Sequence, residues 1–209
     1  DMFTKEVTFL TELCQNAQRA GASRIDIDYL DAEGVMMITD DGSGFSDEGW
    51  ESFFTVGKSG WGDDIVREQN PFGIGCAACL YAATEICITS GQHQVHFHTD
   101  ALFSGCEVDR QEVKQFSIGS VIALKLKSEI NVERLLKSAE TVFEAFTIPV
   151  FINGVEIDRP LSLDANREFI DTEIGKLTLV KDELAKSRSR SSVRHLDVGF
   201  ILQGFKLSD

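Results

Sequence analysis

The stretch "ELCQNA", Glu12 to Ala17, lies in the first helix that the sequence predicts and carries two polar residues on one face. Apolar residues at helical spacing predict this helix from about Thr4 to Ala20, and Gly21 ends it. These apolar residues are Phe3, Val7, Leu10, Cys14 and Ala17. Glu12 and Asn16 are four residues apart, so their side chains share a face that is not the apolar one. The apolar face therefore has to pack against the elements that follow.

The elements that follow predict an α+β fold. "RIDIDYLD" and "VMMITD" are alternating strands joined at Gly34, and Asn153-Gly154 predicts a hairpin. Further strands are predicted from "TEICITS", "HQVHFHT", "SVIALKLK", "KLTLVK" and "VGFILQGFKL". Helices are predicted from "SDEGWESFF", "GIGCAACLYAA" and "NVERLLKSAETVFEAF". Mixed helices and hairpins indicate a two-layer α/β sandwich, with a mixed, mostly antiparallel sheet and helices on one face.

Two short motifs carry acidic side chains. A carboxylate and a carboxamide one helical turn apart, as at Glu12 and Asn16, can hold a water and a hard cation such as magnesium. The same pair also occurs on ordinary solvated helix faces. In "DDGSG", Asp40 to Gly44, an acid leaves an apolar strand into a glycine turn. Such a turn can place an acceptor in a pocket that a flat ligand approaches, although an ordinary tight turn has the same pattern.

Two further motifs are weak when taken alone. "PFGIG", Pro71 to Gly75, opens a small-residue helix whose free N–H groups suit a phosphate. "IGSVIALKL", Ile118 to Leu126, is a strand with Ser120 near its start.

The segment "TVGKSG", Thr55 to Gly60, contains a Gly-Lys-Ser triplet but does not form a P-loop. The P-loop pattern needs a glycine five residues before Gly57, and that position is Ser52. The residues after the triplet also predict a loop rather than a helix. Lys58 therefore needs another explanation.

Taken in order, the four motifs resemble the boxes of the GHKL ATPases, which include gyrase-type topoisomerases, ninety-kilodalton heat-shock chaperones, histidine kinases and MutL proteins. "ELCQNA" with "GASRIDI" looks like the N box, and "DDGSG" looks like the D-x-G-x-G box. "NPFGIG" looks like the second glycine box, with Asn70 in place of its usual first glycine. "GSVIAL" looks like the last box, with Ser120 in place of the usual threonine.

The resemblance implies the Bergerat fold, ATP and Mg²⁺ as ligands, and a role for each matched residue. Glu12 matches the general base that activates water, and Asn16 matches the magnesium ligand. Asp40 matches the acceptor for the adenine amino group, and Ser120 the hydroxyl that helps to hold it. The remaining matches are Gly42 and Gly44, which shape the adenine pocket, and Gly73, Ile74 and Gly75, which cradle the phosphates. "TVGKSG" is similar to the lid entrance of the heat-shock chaperones, which makes Lys58 a lid lysine near the phosphates.

The composition limits the partners. The net charge of −14 argues against general nucleic-acid binding by this segment. Five cysteines without a disulfide-like framework favour a reducing, cytoplasmic compartment. The sequence has neither a transmembrane run nor a signal peptide pattern. Cys76 and Cys79 lack a second pair, and no motif accompanies His96 and His98, so zinc is not expected.

These observations predict a GHKL ATP-binding domain over residues 1–147. Residues 148–209 are predicted to be an extension or the start of a further, truncated domain. The predicted activity is Mg²⁺-dependent ATP hydrolysis that drives a conformational switch, chaperone-like or of the DNA-repair and topoisomerase type. The expected partners are ATP or ADP, a downstream domain and a second copy of the chain that closes with nucleotide. The alternatives are a histidine-kinase-type phosphotransfer domain, against which Glu12 argues, and a module that binds ATP without turnover.

Overall fold

The computed structural model of the chain describes residues 7–53, 75–162, 170–172, 175–177, 200–202 and 205–208. The helices are α1 (Thr8–Arg19), α2 (Asp47–Phe53), α3 (Gly75–Ala82), α4 (Thr99–Phe103) and α5 (Val132–Val142), with a 3₁₀ turn at Phe143–Ala145. The strands are β1 (Ile25–Leu30), β2 (Val35–Asp40), β3 (Ala83–His98), β4 (Gln111–Leu126), β5 (Val150–Ile152) and β6 (Val155–Glu156). Four short strands follow, β7 (Ile170–Thr172), β8 (Gly175–Leu177), β9 (Phe200–Leu202) and β10 (Phe205–Ser208).

The main sheet has six strands in the order β3-β4-β2-β1-β5-β6. The pairing is antiparallel except between β1 and β5, which run parallel. Burial alternates along β1 and β2, as expected for a sheet with one face covered. The predicted fold class, an α+β sandwich with a mixed, mostly antiparallel sheet, is confirmed.

The long strand β3 turns back on itself at Gly91. The side-chain amide of Gln94 donates to the hydroxyl of Thr89 at 2.9 Å, and the hydroxyl of Thr99 donates to the carbonyl of Ala83 at 2.9 Å. An extended strand could not bring these residues together, since each residue adds about 3.3 Å. Gly91 has φ +60°, which the first central residue of a type II′ hairpin turn requires. The two strands predicted from "TEICITS" and "HQVHFHT" are therefore the arms of this hairpin.

The inner face of the sheet packs on the helices around one core. Its largest fully buried side chains include Phe9 and Leu10 from α1, Leu135 from α5, and Phe143 and Phe146 just after it. The predicted amphipathic helix α5 begins where Asn131 accepts a hydrogen bond from the N–H of Arg134 at 2.9 Å. Such side-chain caps satisfy a free backbone donor at the helix start.

The strands after residue 147 differ from the sequence prediction in one case. β5 and β6 lie in the main sheet although they follow residue 147, the predicted domain boundary, because β5 pairs with β1. Asn153 and Gly154 form the predicted hairpin between them, with φ values of 49° and 78°. "VGFILQGFKL" was predicted as one strand, which is wrong, because β9 and β10 pair antiparallel with each other. "KLTLVK" contributes the end of β8, which pairs with β7.

The pairing of β2, β4 and β3 aligns three rows of side chains on the inner face. The first two rows are apolar, Met36–Leu124–Ile86 and Ile38–Ile122–Ile88, and the third is polar, Asp40–Ser120–Ser90. All three polar side chains are buried, with 9%, 4% and 3% of their surface exposed. The inner face of the sheet thus ends in a buried polar row.

Gly119 allows β4 to approach β2 closely beside this row. Its φ is +66°, and a Cβ at this position would collide with the carbonyl oxygen of Asp40. Gly105 has a similar φ of +85°, but a Cβ there would meet nothing within 4 Å. The two glycines therefore share a backbone conformation and differ in their surroundings.

We expect Gly119→Ala to lower the free energy of unfolding by about 3 kcal/mol or more, since it adds a collision to the cost of a left-handed alanine. Gly105→Ala is the matched control and should cost about 1–2 kcal/mol. Urea unfolding of both variants measures the difference. Equal losses would show that the contact between Gly119 and Asp40 does not constrain the fold.

Candidate functional site

The buried carboxylate of Asp40 ends β2 and is held by donors on two sides. The N–H of Gly42 donates to its Oδ1 at 2.9 Å, and the Ser120 hydroxyl donates from the neighbouring strand. Burial raises the pKa of Asp40, and these hydrogen bonds oppose that rise. The structure thus brings together two residues, Asp40 and Ser120, that the sequence assigned to one site.

Ser90 completes the polar row, and no sequence motif points to it. Its hydroxyl donates to the carbonyl of Gly119 at 2.8 Å and accepts from the N–H of Phe45 at 2.9 Å. It therefore ties the hairpin of β3 to β4 and to the chain that leaves the Asp40 turn. A serine at the tip of a predicted hairpin gives no sign of this role, which depends on pairing between distant strands.

The glycines of "DDGSG" are required by protein packing. A Cβ at Gly42 would lie 2.9 Å from both the Cβ and the carbonyl oxygen of Ala20, at the end of α1. A Cβ at Gly44 would collide with the Ser90 hydroxyl. The motif predicts that these glycines admit a ligand, and close packing against Ala20 and Ser90 is a second reason for glycine at both positions.

Helix α1 is fixed to the Asp40 turn at its C-terminal end. The N–H of Ser43 donates to the carbonyl of Ala20 at 2.8 Å. Cys14 is fully buried on α1, and burial is the main reason why the pKa of its thiol is raised. The negative charge of Asp40 also raises this pKa, so the two side chains lie close together. The C-terminal end of α1 is thereby held against the turn that follows Asp40.

Glu12 and Asn16 are both partly exposed on α1, and Arg19 joins them. Burial raises the pKa of Glu12, and the positive charge of Arg19 opposes the rise. Arg19 Nη1 donates to Asn16 Oδ1 at 3.0 Å. A carboxylate with a raised pKa is a stronger base, which suits the role expected for Glu12.

The oxygen donors on α1 fit a magnesium ion. Magnesium prefers oxygen ligands and is often held by one or two protein groups together with phosphates and water. A carboxamide oxygen has two lone pairs, and the hydrogen bond from Arg19 Nη1 uses one lone pair of Asn16 Oδ1. Within the described part of the chain, no cluster of three or more His, Cys, Asp or Glu side chains could hold a metal on its own.

Several predicted residues lie outside the described part of the chain. These are Lys58, Gly73 and Ile74, and with them the predicted lid. Gly75 is described as the first residue of α3. Among the described residues, no helix is long and apolar enough to cross a bilayer.

Asp41, which follows Asp40, has the opposite environment. Its carboxylate accepts from the N–H groups of Ser23 and Arg24 at 2.7 Å and 3.0 Å and from the Ser23 hydroxyl. The Ser23 hydroxyl and these N–H groups lower the pKa of Asp41. Two adjacent aspartates therefore have pKa values displaced in opposite directions, Asp40 up and Asp41 down.

We expect Asp40→Asn and Asp41→Asn to change stability with opposite signs. Folding favours the protonated form of Asp40, so stability is lost as pH rises above 3.8 and Asp40→Asn should be more stable than wild type at neutral pH. Folding favours ionised Asp41, so Asp41→Asn should be less stable there. Both differences should vanish in acid, below the pKa values concerned. Urea unfolding between about pH 3 and pH 7 tests this, and equal signs at neutral pH would contradict it.

A known protein family matches the part of the chain that contains these elements. The family model described as histidine kinase-, DNA gyrase B- and HSP90-like ATPase matches residues 5–138, more than half of the chain. This range includes α1, the Asp40 turn, the β3 hairpin and β4. The comparison with curated proteins gave no match. The chain therefore belongs to the histidine kinase-, DNA gyrase B- and HSP90-like ATPase family and contains a GHKL-type ATP-binding domain.

Proposed function

We propose that this domain binds ATP with Mg²⁺, hydrolyses it, and acts as a nucleotide-driven conformational switch. The role is of the chaperone or DNA-repair and topoisomerase type, in the cytoplasm. ATP would change the contacts of the domain, assigned to residues 1–147, with the region from 148 onward or with a second copy of the chain. Membership of the ATPase family supports ATP as the ligand, and the arrangement of the site supports the roles proposed for its residues.

One observation carries the proposal: a buried carboxylate, Asp40, lies at the sheet end to which the polar helix α1 is fixed. A carboxylate held by Gly42 and Ser120 is a fixed acceptor, suited to the exocyclic amino group of adenine. The same turn contacts the end of α1, whose polar face carries the expected base and metal ligand. The proposal therefore assigns acceptor, base and ligand to one surface between α1 and this turn.

The residues of α1 are assigned to the phosphate end of the nucleotide. Glu12 would take a proton from the water that attacks the terminal phosphate, which its raised pKa favours. Asn16 would hold Mg²⁺ through its carboxamide oxygen, and the bound ion would neutralise charge on the phosphates. Lys58 and the Gly73–Gly75 segment are proposed to contact the phosphates as well.

Asp40→Ala should weaken ATP binding at least tenfold, because the buried acceptor for the adenine amine is lost and such a loss costs about 1–3 kcal/mol. Asp41→Ala is the matched control and should keep its affinity, because Asp41 is exposed and bonds to Ser23 and Arg24. Calorimetric titration with ATP measures both. An unchanged affinity in Asp40→Ala would remove the adenine assignment.

Glu12→Gln should abolish hydrolysis while ATP affinity is kept or increased. Loss of a general base costs about 10²–10⁴ in rate, and removing a negative charge beside the phosphates cannot weaken their binding electrostatically. Steady-state phosphate release and calorimetry on the same preparation give the two values. Hydrolysis at the wild-type rate would place the base elsewhere. A wild-type protein that binds ATP without turnover would support the binding-module alternative.

The 209-residue chain alone is expected to turn over ATP slowly or not at all, because phosphoryl transfer also needs positive charge at the terminal phosphate. In the family members that this chain resembles, such a charge comes from the following domain. Phosphorylated protein in place of free phosphate would instead support the histidine-kinase-type alternative.

A further inference from the structure

Ser90 lies where the pairing of β3 with β4 is interrupted. Ser90 itself pairs with Ser120. The next residue, Gly91, pairs with Ser117, so the register skips two residues of β4, one of which is Gly119. The hydroxyl of Ser90 donates to the carbonyl of Gly119 at 2.8 Å. A side chain therefore holds β4 at the point where the ladder is interrupted, and such irregularities are common beside functional sites.

The same hydroxyl also holds the end of the turn that carries Asp40. Along this turn, three backbone N–H groups are held in succession: Gly42 donates to Asp40, Ser43 donates to the end of α1, and Phe45 donates to Ser90. The bond from Phe45 measures 2.9 Å, and Ser90 is buried. The acceptor in this last bond is a side chain, so a substitution at Ser90 can release the end of the turn.

Through Gly119, Ser90 also acts on the backbone of Asp40. A Cβ on Gly119 would collide with the carbonyl oxygen of Asp40, so the two backbones are in direct contact. Ser90 thus holds the strand segment that lies against Asp40 as well as the turn that follows it. Serines often bond to backbone groups close by in sequence. Both bonds of Ser90 instead run to other elements, 29 and 45 residues away, so a role limited to its own hairpin does not explain them.

We propose that Ser90 is a positioning residue for adenine, and that it sets the affinity of the site for the base by holding the Asp40 turn in its binding conformation. The inference rests on the proposed function. Ser90 acts through Phe45 and Gly119, because an acceptor has to be held within about 0.5 Å of its productive position by the residues behind it. Loss of its hydroxyl should therefore weaken adenosine and ATP by the same factor, since the base is common to both.

The experiment is calorimetric titration of the 209-residue chain and its variants with adenosine and with ATP. Ser90→Ala should weaken both ligands about three- to tenfold, the factor that corresponds to the net contribution of one hydrogen bond. Thr99→Val is the matched control. The hydroxyl of Thr99 is also buried and donates to backbone carbonyls, those of Ala83 and Thr84, but at the open end of the β3 hairpin, away from Gly91. Thr99→Val should bind both ligands as wild type does.

Hydrogen exchange on wild type tests the same inference without any variant. If adenine binds only while Phe45 is bonded to Ser90, adenosine at about 100 times its Kd should slow exchange of the Phe45 amide about 100-fold. The amide of Tyr29 is the control, because it also donates to a side-chain oxygen, Asn153 Oδ1, at 2.8 Å. It lies at the other end of β1 from the residue that pairs with Asp40, and its exchange should change little.

The outcomes separate this inference from the proposed function. Ser90→Ala with wild-type affinity for both ligands would overturn the inference, and so would exchange at Phe45 that adenosine does not change. A loss confined to ATP would place the effect at the phosphates, and equal losses in Ser90→Ala and Thr99→Val would reduce Ser90 to general support of the fold. Either result would also overturn the inference. Wild type that binds neither adenosine nor ATP would overturn the proposed function itself.

Discussion

The register between β2, β4 and β3 is the constraint on which the rest of the site depends. It continues two apolar rows with a third row of one carboxylate and two hydroxyls, Asp40, Ser120 and Ser90. Buried polar groups destabilise a fold unless each has a partner. Here the partners come from the backbone of the adjoining turns, from Gly42, Phe45 and Gly119. A shift of one residue in this register would turn the row to the other face of the sheet and separate these groups.

Three glycines lie beside this polar row, at positions where a side chain would collide with a neighbouring element. This close packing explains the need for glycine there better than access for a ligand alone. Gly42 lies against the end of α1, and Gly44 lies against Ser90. Gly119 lies against the carbonyl of Asp40. Each contact joins a different pair of elements, so the three positions together fix helix, turn and hairpin around one carboxylate. Rigid support of this kind is what holds an acceptor in place for a ligand.

The sequence was sufficient to predict the elements of the main sheet, because alternation and helical spacing are local properties. It also indicated Asp40 and Ser120 as members of one site through the order of four motifs. It could not indicate Ser90, whose partners Gly119 and Phe45 are 29 and 45 residues away and meet it only after two hairpins have formed. Similarly, the apolar pattern of "VGFILQGFKL" is continuous and does not reveal that β9 pairs antiparallel with β10. The role of Lys58 and the Gly73–Gly75 segment stays a prediction from sequence.

The charges on α1 make the roles of Glu12 and Arg19 interdependent. The chain has a net charge of −14, so a polyanion approaching the site meets an unfavourable overall field unless positive charge is fixed locally. Burial lowers the pKa of Arg19 and raises the pKa of Glu12, and the charge of each residue opposes the shift of the other. Replacing either residue therefore changes the environment of the other, and effects of single substitutions on binding will not add.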